Sequence, residues 1–208
     1  MLRRMFALVA VLFLFALAPM ASAKTVINER QSFTQLVGEW YEEGDDGWFT
    51  FGYAVATAQD GDTWIEYYQE STRTIACDGS EGYEYMVEYG YGEGTLSAAR
   101  QFTRGHAEGL IIVSSESGSY CFDEGDGPEP FNGSGDGEEK FISIDFTATS
   151  SLYREKGSGS FKVPGEWNEH YRFSSTYRLG EATVSIDSDT FTTQGIFGQV
   201  VARYHVNG

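Results

Sequence analysis

Cations are scarce in this sequence beside its anions. Fourteen Lys and Arg stand against 31 Asp and Glu, a formal net charge of −17. Such a chain repels phosphate backbones, which argues against nucleic acid as a partner, and it disfavours anionic membrane surfaces. Histidine is equally thin: His106, His170 and His205 are widely separated, with no H-x-H or H-E-x-x-H spacing to hold zinc. Cysteine is limited to Cys77 and Cys121, without the C-x-x-C spacing of a metal site. No serine sits in a G-x-S-x-G elbow. The glycine-rich "YGYGEG" is followed by no basic residue or helix that would hold a phosphate. No catalytic motif here specifies a reaction.

Only one apolar run is long. It covers Met5 to Leu17, behind Arg3 and Arg4 and ahead of Ala21-Ser22-Ala23. That order of positive start, apolar stretch and A-x-A predicts a secretory signal peptide over 1–23, cleaved before folding. The remainder, 24–208, is then secreted or periplasmic, with no transmembrane anchor. Without Arg3 and Arg4 its net charge is 12 − 31 = −19. In an exported chain, Cys77 and Cys121 predict one disulfide. The loop that it closes holds about 45 residues, worth about 4 kcal/mol in the chain-entropy account.

Period-two alternation fills most of the rest. Phe49, Phe51, Tyr53 and Val55 alternate with Thr50, Gly52 and Ala54, and Asp60-Gly61 then signals a tight hairpin turn. Trp64, Glu66, Tyr68 and Glu70 oppose Ile65, Tyr67 and Gln69. Tyr83–Tyr89, Phe141–Ala148, Tyr171–Tyr177, Ala182–Ile186 and Val200–Val206 repeat the pattern. Helix signals are few: Ser32–Val37 suits a helical turn, and Leu96–Arg104 reads as strand more than helix. The expectation is an all-β fold with little helix: a single antiparallel β-barrel or β-sandwich of about 8–12 strands.

The segment Asp123–Glu139 differs, with seven carboxylates, five glycines and two prolines. It reads as a solvated loop. Asn132, Ser134 and Asp136 fall at spacing two with Gly137 next, like half of a calcium loop, so Ca2+ is the one cofactor to consider; Ser143 stands where the closing glutamate belongs. Among other carboxylates, Glu66 and Glu70 share a strand face, as do Glu84 and Glu88. Residues four apart on a strand lie about 13 Å apart, too far for a glycosidase pair. "WIEYYQES" resembles the nucleophile strand of jelly-roll xylanases; on that resemblance Glu66 is the nucleophile, with Glu155 as a partner acid across the sheet.

Aromatic residues make up 15% of the chain, so some lie outside the core. Trp48, Trp64, Tyr68 and Tyr85 are candidate ligand-binding rings, since sugars and apolar ligands stack on such faces. "FTQLVGEWYE" resembles the start of lipocalins and their calycin relatives, where G-x-W opens the first strand. Gly38 and Trp40 match, and Arg203 in "VVARYHV" stands where an arginine packs over that tryptophan. The resemblance implies a barrel carrying a small apolar molecule, with Trp40 and Arg203 as a structural cation–π lid. Strand-like runs outnumber a lipocalin's eight, and no helix follows the last. An outer-membrane barrel also suits the leader and the alternation, but the chain ends on Asn207-Gly208 and its strands carry too many carboxylates for a lipid-facing band. The reading is a non-enzymatic binder of a small apolar molecule or a glycan. A hydrolase using Glu66, or an envelope or adhesion protein without a small-molecule ligand, are the alternatives.

Overall fold

The computed structural model describes residues 27–44, 47–121, 137–163 and 167–207. They form nine antiparallel strands: β1 (Ile27–Glu43), β2 (Phe49–Gln59), β3 (Asp62–Ala76), β4 (Glu81–Ala98), β5 (Arg104–Cys121), β6 (Glu138–Ala148), β7 (Tyr153–Val163), β8 (Trp167–Ile186) and β9 (Asp189–Asn207). The fold is all-β, as the alternation implied. The sheet order is β6-β5-β4-β3-β2-β1-β9-β8-β7, and a further β6–β8 ladder closes it into a ring. Eight strands make the ring, while β7 hangs on the free part of β8.

Closure is staggered. Straight across the ladders, Ala148 leads through Gly180, Gly195, Gly38, Ala54, Tyr67, Gly90 and Val113 back to β6 at Glu138. The path returns ten residues from its start (148 − 138). Ten residues of stagger over eight strands means a strand tilt of about 40°, within the usual range for closed barrels. A barrel of this size holds its own side chains. Here they are Leu36, Ile65, Ile111, Ile142, Val184 and Phe197, all fully buried. Phe146 and Phe102 meet Phe197 edge-on at 5.7 and 5.2 Å. Trp40 lies inside, stacked on Phe191 at 4.6 Å and Tyr67 at 6.1 Å. Gly52 makes room for it: a Cβ there would land on the indole.

Local chemistry explains the turns. Asp60 and Gly61, at φ 55 and 102, form the two-residue turn between β2 and β3 that the D-G pair signalled. Ser32–Val37 is strand, not helix. All of it pairs with β9, and from Phe33 onward it pairs with β2 as well; two ladders outweigh a short helical nucleus. Leu96–Arg104 splits: β4 runs to Ala98, Arg100–Phe102 make a 3-10 turn, and Arg104 opens β5.

Cys77 and Cys121 are bonded, with 6.0 Å between their Cα atoms. The bridge ties the β3–β4 turn to the end of β5, beside the Gly82–Cys121 pair. Replacing both cysteines with serine is expected to lower Tm by about 12 °C, from about 4 kcal/mol of lost chain constraint. Calorimetry of the double variant checks this; an unchanged Tm contradicts it.

Candidate functional site

The predicted ring residues divide between surfaces. Trp64, Tyr68 and Tyr85 belong to the outward face of β3 and β4, while Trp48 caps the guanidinium of Arg73 at 4.9 Å. Arg73 in turn donates to Glu84 at 2.6 Å, so Trp48 joins a structural cluster at the barrel's lower rim. Around Tyr68 the outward face is aromatic. Tyr53 stacks on Tyr68 at 5.4 Å, Phe51 lies 6.3 Å from Tyr68, and Tyr41 lies 5.0 Å from Phe51. Tyr89 and Tyr91 continue the strip on β4 and are half exposed. Carboxylates punctuate it: Glu70 accepts from the Tyr68 hydroxyl at 2.9 Å, and Glu66 sits in register between Val55 and Tyr91.

Electrostatics follow from this crowding. Burial, then the bond to Glu70, pushes the Tyr68 hydroxyl up to about 12. Burial raises the Glu39 and Glu66 carboxyls. Burial also raises Tyr53, with the charge of Glu66 adding to it.

Two expected pairings are not formed. Arg203 stands opposite Arg30, ten residues along β1 from Trp40, or about 33 Å at the rise of a strand. The lid over Trp40 is therefore aromatic, supplied by Phe191 and Tyr67, rather than cationic. Glu66 and Glu155 do not meet either. β3 and β8 stand on opposite sides of the ring, and Glu155 lies on β7 beyond β8, accepting from the Tyr177 hydroxyl at 2.6 Å. Both carboxylates face outward, so the glycosidase pair is not assembled. The calcium candidates Asn132, Ser134 and Asp136 lie outside the described residues. Among the described residues no group of three His, Cys, Asp or Glu is placed to hold a metal.

Sequence reasoning missed a second locale. Beyond the β2–β3 turn, the ends of β1, β9, β8 and β7 continue as a four-stranded flap. Its barrel-side face bears an open groove of about 710 Å³. Arg30, Arg203 and Arg172 line it, side by side on adjacent strands and in register. His205 and His170 form the next row, with His205 Nδ1 2.6 Å from Asn28 Oδ1. The register alone brings these residues together, since they span 30 to 205 in the chain. His106 stays apart on β5, its Nδ1 2.8 Å from Asp145.

No protein-family model, no curated protein and no solved structure matches the chain. The likeness to lipocalins reduces to a closed antiparallel barrel with Gly38 and Trp40 in its first strand.

The raised Glu66 carboxyl gives a signed prediction. A carboxyl raised on folding costs stability above its folded pKa, and the cost disappears below its unfolded value. Glu66→Gln should therefore raise Tm at about pH 7 and change it little at about pH 3.5, below the free Glu value. Thermal melts at both pH values check this; a lowered Tm at neutral pH contradicts it.

Proposed function

We propose that the protein is a non-enzymatic, exported binding protein that takes a neutral glycan on the outside of its barrel. One observation carries this reading: the strip of packed rings through Tyr41, Phe51, Tyr53 and Tyr68, continued by half-exposed Tyr89 and Tyr91. Soluble chains seldom leave contiguous aromatic surface without a use. Ring faces stack on the apolar faces of sugars, and the carboxylates of Glu66 and Glu70 beside them accept from sugar hydroxyls. The excess of carboxylates favours neutral sugars over acidic ones.

Other features agree. The leader and the disulfide suit an extracytoplasmic protein. The interior is filled by apolar side chains, which favours a ligand on the barrel over one within it. An apolar interior also differs from that of a membrane barrel, whose lumen is polar. The same filled interior favours a second reading, an envelope protein with no small-molecule ligand, in which the strip meets another protein.

Affinity electrophoresis through gels containing neutral polysaccharides separates the two. Retardation by at least one polymer is expected, and Tyr89→Ala combined with Tyr91→Ala should weaken it about tenfold, from the loss of two stacking rings. Unretarded migration through every polymer in the panel sinks the glycan reading.

A further inference from the structure

We infer that the flap groove is an anion site, built to hold a compact oxyanion of charge two or more: a phosphate or sulfate group, free or as an ester. Charge placement sets this groove apart from the rest of the molecule. On the groove face of the flap, over 27–32, 201–207, 167–177 and 153–163, every charged residue is cationic: Arg30, Arg154, Lys156, Lys162, Arg172 and Arg203. The whole chain has 31 acidic residues and 14 Lys and Arg, so an indifferent surface would be dominated by carboxylates. Glu29 borders the groove, yet its carboxylate belongs to the opposite face, where it accepts from Gln31 at 2.8 Å.

The bland explanation covers only part of the set. Edge strands carry cations that deter pairing with other chains, and β7 is an outer strand of the flap, which accounts for Arg154, Lys156 and Lys162. β1 is the flap's other outer strand, since its pairing with β2 starts only at Phe33, and edge protection accounts for Arg30 as well. Arg203 and Arg172 lie on β9 and β8, paired on both sides, where no edge needs protection. Like charges directly opposite one another destabilise a sheet. Among the described residues, none of the three guanidiniums has an ion-pair partner or a side-chain hydrogen bond. An unbalanced row of this kind is an arrangement that an anion completes.

Geometry sets the size of the ligand. Adjacent strands are about 4.8 Å apart, so the three arginines span about 10 Å, with Arg203 central. One tetrahedral oxyanion over Arg203 lies within reach of the forks on both sides, and guanidinium forks match phosphate and sulfate oxygens in pairs. Ser158, opposite Arg172, adds a hydroxyl, and His170 and His205 add ring nitrogens on the next row. A long polyanion fits poorly, because it would leave the groove onto a molecule of net charge −17.

The test is isothermal titration calorimetry at low ionic strength on the disulfide-intact protein. Inorganic phosphate, inorganic sulfate, glucose 6-phosphate and glucose 6-sulfate are the ligands, with a heparin fragment as the long polyanion. Saturable one-to-one binding of at least one compact anion is expected. Free ions binding as well as esters assigns an inorganic oxyanion; tighter ester binding assigns a sugar ester. Arg203→Gln should weaken binding at least tenfold, and Arg203→Lys should restore only part of it, because charge returns without the fork. Arg30→Gln combined with Arg172→Gln tests the flanking pair should Arg203→Gln lose the native circular-dichroism spectrum. The inference is overturned if no compact anion binds, if binding survives all three Gln substitutions together, or if only heparin binds. Self-association that these substitutions abolish, without anion binding, also overturns it.

Discussion

Closure of the sheet by the β6–β8 ladder is the constraint on which the rest depends. β8 is long enough to serve two neighbours on one edge: Gly180–Ile186 pair with β6, and Trp167–Tyr177 pair with β7. The β6–β7 break between these ladders is tied down closely. Thr149 and Ser150 donate their backbone N–H groups to the Leu179 carbonyl, and Leu179 N–H donates to Ser150 Oγ at 2.8 Å. Arg178 donates to the Ser150 carbonyl at 2.7 Å and to the Gln101 carbonyl at 2.8 Å. One arginine thus joins the β4–β5 turn, the β6–β7 break and β8. Below this junction the sheet is a closed tube; above it, the sheet opens into a flap.

The change in architecture explains a change in chemistry along single strands. On β9 one face passes from Phe197, fully buried, to Arg203; on β1 it passes from Leu36 to Arg30; on β8, from Val184 to Arg172. Within the tube that face is sealed by the opposite wall, and only apolar side chains avoid a desolvation cost. Once β2 has ended at Gln59 the same face meets water, and cations become tolerable. The outward face does the opposite around β2 and β3, where rings of tyrosine and phenylalanine stay partly in solvent. The surfaces outside the core thus differ in chemistry: an aromatic strip punctuated by carboxylates on one side, a cationic groove at one end.

Much of the architecture could be read in advance because it rests on local rules. Alternation of Phe49 through Val55 and of Ile65 through Gln69 announces strands with an inward and an outward side, and the ladders follow it. Asp60-Gly61 announces its turn because left-handed backbone at both positions suits few other pairs. Ser32–Val37 defeated the same reasoning. Six residues carry a weak propensity signal, and pairing with β9, joined by β2 from Phe33 onward, overrode it. The candidate rings fared unevenly for a related reason. Trp64, Tyr68 and Tyr85 share a face because strand parity places them there, whereas Trp48 precedes β2 and its direction is set by Arg73.

The amino-acid order by itself determined the all-β class, the alternating faces, the acidic surface and the means for one disulfide, since each depends on neighbours in the chain. Register, closure and stagger were decided only in three dimensions. They place Arg203 beside Arg30 and Arg172 rather than over Trp40, and set Glu66 and Glu155 on opposite sides of the tube. Pairing between distant strands is a property of the whole ring, because shifting one ladder shifts every ladder that closes with it.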